Sequence, residues 1–118
     1  MKNDSAYIAL MLQCIEKIRR YVGTQSYADF LKDDKTQSAV FMQFEQLGEM
    51  SKRVSEKGKA EIVIPWKKIS GFRDIIAHEY YNVALSMVWN TVTSELAETE
   101  APLVEYLKAH PIPPVPNK

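Results

Sequence analysis

Arg73, His78 and Tyr80 stand in an R-x-x-x-x-H-x-Y pattern inside the stretch Gly71-Phe72-Arg73-Asp74-Ile75-Ile76-Ala77-His78-Glu79-Tyr80-Tyr81. An arginine holds a phosphate through a planar fork of N–H donors. A histidine, with an unperturbed pKa of about 6.5, moves protons near neutral pH. A tyrosine offers a phenolic oxygen that hydrogen-bonds or accepts a modifying group. Together the three suffice for metal-free chemistry on a phosphodiester. The competing structural reading pairs Arg73 with an acid, sets His78 at a helix end near the C-terminal dipole, and makes Tyr80 an aromatic at the edge of the core.

Helix geometry constrains how these side chains meet. At about 100° per residue, Arg73 and His78 lie about 140° apart on a straight helix, whereas Arg73 and Tyr80 share a face. Asp74 stands one turn before His78 and is placed to orient the imidazole and favour its protonated form. One phosphate meets both Arg73 and His78 only if the helix ends or bends near His78, or if a second subunit contributes across a two-fold axis. For a small chain without a deep pocket the dimeric site is the more economical solution.

Other chemistries have little support. Two histidines and a single cysteine do not make a credible zinc site. There is no glycine-rich phosphate loop and no serine in a nucleophile-elbow context. Carboxylates are plentiful without forming a distinctive pair, and neither a metal nor a cofactor is expected. Cys14 lies among the apolar residues of a predicted helix and reads as a buried, inert thiol. His110 reads as a surface residue.

The elements that must position the motif are helical. Ile8, Met11, Ile15, Ile18 and Val22 recur at spacings of three and four, one face of a helix that Ser5 would cap and Gly23 would end. A short piece follows at about Tyr27–Leu31, then a helix from about Thr36 to Ser55 with Val40, Phe44, Leu47 and Val54 on one stripe. Gly48 within it predicts the close crossing of another helix, and Gly58 is expected to end the segment. Pro65 fits the first turn of a motif helix reaching Tyr80–Asn82, with Trp66, Ile69, Phe72 and Ile76 on its buried face. A last long helix begins near Val83, carries Leu85, Val88, Val92 and Leu96, and is ended or kinked at Pro102. The expected fold is all-α: an antiparallel bundle of four main helices with short extra helical segments, one domain over residues 1–110, and an extended proline-rich tail over 111–118.

The chain has 118 residues, 46% apolar and 25% charged, ordinary for a soluble domain. No apolar run approaches the roughly 20 residues of a membrane span, and the N-terminal residues do not read as a signal peptide. One cysteine and no possible internal disulfide point to a reducing, cytoplasmic location. Fifteen basic residues balance fifteen acidic ones, so net charge does not advertise a nucleic-acid binder. Locally, six basic residues stand against two acidic ones between Lys52 and Lys68, a surplus able to meet a phosphate backbone. A solvated helix end and loop would read the same way.

The chain resembles the HEPN superfamily, specifically the HepT-like ribonuclease toxins of prokaryotic toxin–antitoxin pairs. The resemblance rests on Gln46-Leu47-Gly48-Glu49, Ile64-Pro65-Trp66, the Gly71–Tyr80 block and Val88-Trp89, and spans the chain from the first helix to about Leu107. It implies a helical bundle dimerising through its motif helices, and metal-independent cleavage of RNA. It further implies Arg73 and His78 as catalytic residues, and Tyr80 as the acceptor of AMP from a nucleotidyltransferase antitoxin of the MntA type. Asp74 occupies a position where such proteins often carry asparagine. Lys52, Arg53, Lys67 and Lys68 are candidates for holding the RNA backbone. A non-catalytic partner subunit of a minimal nucleotidyltransferase is the alternative reading.

Overall fold

The apolar spacing of the first segment produces a 19-residue helix, α1 (Asp4–Val22), in a computed structural model that describes residues 3–78 and 81–112. Its N-cap is Asn3, whose side chain accepts from the Ala6 N–H. Ser5 lies two residues further in, within the first turn, and its hydroxyl donates to the His110 carbonyl at 2.6 Å, so the expected cap instead ties the two ends of the described chain together. Gly23 closes α1 at φ 56°, a backbone conformation that favours glycine.

α2 (Tyr27–Leu31) opens on a capping box between Ser26 and Asp29. α3 (Asp34–Arg53) is capped by Asp33 and packs along α1, the largest helix contact in the fold. Ile8, Met11, Ile15 and Ile18 of α1 meet Val40, Phe44 and Leu47 of α3 in the core, each at most 1% exposed. Each such side chain contributes about 1.5–3 kcal/mol on burial.

The chain then departs from the sequence expectation. Gly58 does not end the α3 segment. α3 stops at Arg53, and Gly58 sits inside a short helix, α4 (Glu56–Glu61), capped by Ser55. The Asp4 carboxylate accepts from both the Ser55 N–H and hydroxyl, so α4 starts where α1 starts. The predicted motif helix is likewise two pieces, α5 (Trp66–Ser70) and α6 (Phe72–His78). Gly71 separates them, its N–H shared between the carbonyls of Lys67 and Lys68, a tightened last turn typical of a helix end.

α7 (Tyr81–Ser94) and α8 (Leu96–Ala109) replace the single last helix. The break falls at Glu95, and Pro102 lies within α8 without ending it. A proline in a helix interior costs about 3 kcal/mol. Here α8 packs on α1 with Leu96, Thr99 and Leu103 buried, and that packing carries the helix through. Among the described residues every regular element is helical, and no helix is long and apolar enough to cross a membrane. Of the expected proline tail, only Pro111 and Ile112 are described; the remainder lies outside the described residues.

Candidate active site

Phe72 and Gly48 position the motif. The Phe72 ring meets Phe44 of α3 edge-on, with centroids 4.9 Å apart, an arrangement favoured by ring quadrupoles. At Gly48 a side chain would run into α5: an added Cβ would lie 3.1 Å from the Ile69 carbonyl oxygen. The expected close crossing at Gly48 is therefore present, made by α5. Trp66 secures the approach, its indole N–H donating to the Ile62 carbonyl at 2.9 Å.

With Phe72 turned inward, Arg73, Asp74 and His78 are all exposed. Both Arg73 and His78 lie within α6, so helical geometry keeps them about 140° apart on one chain. Asp74 and His78 are one turn apart, but neither makes a side-chain hydrogen bond or ion pair among the described residues. Tyr80 lies outside the described residues.

The close approach at Gly48 brings its neighbour Glu49 within reach of Arg73. Nη1 of Arg73 donates to Oε1 of Glu49 at 3.0 Å, and the same oxygen lies 3.7 Å from Nζ of Lys52. The arginine side chain is 57% exposed and the carboxylate 37%, so solvent screens the pair and its contribution to stability is small. Its geometric effect is larger. One of the five guanidinium N–H donors is occupied, which leaves others for a phosphate. Glu49 had been visible only as part of a family-like stretch. It lies 24 residues before Arg73, on a different helix, and no local spacing could have joined them.

The four candidate backbone-binding cations do not form one patch. Lys52 and Lys67 line a common open groove of about 310 Å³ with Ser51, Lys59 and Ser70. Lys68 pairs with Glu95 instead. Arg53 lines a separate groove between α1 and α3. Glu56 inside the basic stretch pairs with Lys59, while Glu49 and Glu95 from outside it pair with Lys52 and Lys68, so part of its local surplus is answered by acids from α3 and from the α7–α8 junction. Among the described residues, no group of three or more His, Cys, Asp or Glu side chains could hold a metal ion. Cys14 is 5% exposed, and burial pushes its thiol pKa up against a smaller opposing effect of Lys17. It is therefore a poor nucleophile at neutral pH.

The described residues form an all-helical chain with Arg73 and His78 exposed on α6. The profile of the HepT-like family, described as Ribonuclease HepT-like, matches residues 11–107, and the chain belongs to that family. It is 32% identical over 109 residues to "Putative RNase TTE0752" of Caldanaerobacter subterraneus subsp. tengcongensis, covering 92% of this chain and 97% of that one. It is 33% identical over 96 residues to "Probable ribonuclease HepT" of Thermococcus cleftensis, covering 80% and 87%. No solved structure matches the chain at a significant level.

Proposed function

We infer that this protein is a metal-independent endoribonuclease, active as a homodimer in which Arg73 of one copy and His78 of the other meet the same phosphate. The carrying observation is that both side chains are exposed on α6 yet face different directions, in a chain that belongs to a ribonuclease family. Ile75 and Ile76 on the same helix pack against the core but are only half-buried, which leaves part of their apolar surface for a second motif helix to cover. The antiparallel bundle over residues 1–110 serves as the platform, with 111–118 as a tail.

In this reading a base removes the proton from the ribose 2′-hydroxyl, the O2′–P bond forms and the P–O5′ bond breaks. The departing O5′ takes a proton, leaving a 2′,3′-cyclic phosphate and a 5′-hydroxyl. His78 serves as acid or base, worth about 10²–10⁴-fold. Arg73 stabilises the charge growing on the phosphoryl oxygens. Asp74 supports His78, while Lys52, Lys67, Lys68 and Arg53 hold the RNA backbone on either side. No cofactor is needed.

Control falls to Tyr80. A nucleotidyltransferase antitoxin of the MntA type transfers AMP from ATP to its phenolic oxygen, with pyrophosphate leaving. The added anion, close in sequence to Arg73 and His78, then repels RNA. The chain is thus the toxin of a cytoplasmic, type VII-like toxin–antitoxin pair.

The test is RNA cleavage in EDTA by wild type, Arg73→Ala, His78→Ala, and a refolded mixture of the two variants. Each single variant should be inactive. The mixture should recover a fraction of the activity, because a mixed dimer has one intact composite site. Active variants would remove the two residues from the mechanism, and a mixture as inactive as its parts would place the site within one chain. One observation favours the alternative of a non-catalytic partner subunit: the Glu49 carboxylate already engages one donor of Arg73 and sets a negative charge beside it. Absence of cleavage by folded, unmodified wild type across several RNA classes would select that alternative.

A further inference from the structure

Three lysines from three helices converge beside the motif. Lys52 of α3, Lys59 of α4 and Lys67 of α5 line one open groove of about 310 Å³. The acid in that lining is Glu56. Its carboxylate lies 3.9 Å from Lys59 Nζ and is 96% exposed, so water screens it and the groove keeps a positive surplus. Lys67 joins none of the ion pairs among the described residues. Glu49 connects the groove to the motif: one carboxylate oxygen lies 3.0 Å from Arg73 Nη1 and 3.7 Å from Lys52 Nζ. Both cations are thus seated on one carboxylate, and the groove opens directly beside Arg73.

Trp66 supplies a different surface in the same groove. It is partly buried against the core, and its indole N–H donates to the carbonyls of Ile62 and Lys59 at 2.9 and 3.2 Å. Those bonds fix the ring. With its one donor spent, the indole has only apolar ring carbon to offer a ligand.

We propose that this groove is a single-strand subsite of the nuclease, in which Lys52, Lys59 and Lys67 hold phosphates of the RNA leading away from Arg73 and one base stacks on the Trp66 indole. The inference rests on the nuclease reading above. Cations that track a backbone, combined with an aromatic ring on which a base lies, are the means by which single strands are held without reading their sequence. The groove is open, with its charge spread over three helices, whereas a small ligand is ordinarily enclosed over most of its surface. An acidic peptide would answer the lysines alone; a nucleic-acid strand answers the lysines and the indole together.

Two measurements test it, both on His78→Ala protein, which keeps the groove intact and needs no turnover. In the first, binding of a single-stranded RNA is followed from about 50 to 200 mM salt. Lys59→Gln and Lys67→Gln should each reduce the slope of log affinity against log salt by about 0.7. Lys35→Gln, at the opposite end of α3, should leave it unchanged. Slopes that survive both groove substitutions overturn the subsite. In the second, the RNA carries one abasic ribose at successive positions. Loss of the base at one position should weaken binding about tenfold, whichever base it replaces, and Trp66→Leu should erase that difference while Trp66→Phe retains it. The ring-proton signals of the unaltered Trp66 supply a readout that needs no substitution there: intact RNA should move them upfield, and polyglutamate or inorganic polyphosphate should not. Equal weakening at every abasic position, unmoved Trp66 signals, or equal shifts with polyglutamate overturn the proposal. RNA binding with these signatures, but no cleavage of any RNA by wild type, would end the nuclease reading and leave the strand subsite standing. Cleavage by wild type with unchanged salt slopes would do the reverse.

Discussion

Replacing Gly48 with alanine sets two measurable effects against each other. In a helix interior, Gly→Ala is favourable by up to about 1 kcal/mol, because glycine loses more backbone freedom on folding. Against this, the new methyl would lie 3.1 Å from the Ile69 carbonyl oxygen and 3.6 Å from that of Ser70. Both atoms are backbone of α5, so relief requires α5 to move away from α3 rather than a side chain to rotate. Overpacking of this kind costs about 1–3 kcal/mol, leaving a net loss of about 0–2 kcal/mol. For a chain of this size, that corresponds to a fall in Tm of as much as about 8 °C. Gly48→Val adds two more methyls and a less favourable helix former, so its loss should exceed that of alanine. Urea titrations followed by circular dichroism, with unchanged m-values, provide the measurement. If Gly48→Ala instead raises stability by its propensity gain of about 1 kcal/mol, α5 does not press on α3 at this point. The account of how Glu49 reaches Arg73 would then be wrong.

Arg73→Ala and His78→Ala remove exposed side chains, so unfolding free energies should stay within about 0.5 kcal/mol of wild type while RNA cleavage falls by about 10²-fold or more; a parallel loss of stability would mean a structural role. Asp33 is held below its ordinary carboxylate pKa of 3.8 by hydrogen bonds from the Thr36 hydroxyl, the Thr36 N–H and the Gln25 amide. A depressed carboxylate stabilises the fold above its unfolded value and loses that contribution as pH falls through its folded value. Asp33→Ala should therefore lower Tm at pH 7, and the gap to wild type should narrow below about pH 4; a gap constant down to pH 2.5 would contradict the assignment. The native Cys14 thiol should react with an aromatic disulfide reagent far more slowly than the unfolded chain does, and comparable rates would show that the thiol is not buried.

Much of the helical architecture was legible because helix period and capping act locally. The α1 face from Ile8 to Val22 and the α3 stripe through Val40, Phe44 and Leu47 follow from spacings of three and four, and their side chains are buried as that pattern requires. Even the close crossing at Gly48 could be read from one small residue on a helix face. The breaks were harder to read. Gly71 divides the motif helix and Glu95 divides the last one, whereas Pro102, the strongest local helix breaker in that region, stands inside α8. Propensity is worth at most a few kcal/mol per residue, and packing α8 on α1 outweighs it.

The sequence by itself determined which side chains could do chemistry: the Arg73–His78 spacing is a property of the chain, and the helical period alone keeps those two side chains on different faces of α6. Only the tertiary structure decided what surrounds them. It brought Glu49 to Arg73 across 24 residues, divided the basic stretch between separate grooves, and left Gln43 buried with an unpaired oxygen between α1 and α3. These are contacts between helices, fixed by the depth at which Gly48 and Phe72 let α5 and α6 settle on α3. No pattern within a single helix carries that distance.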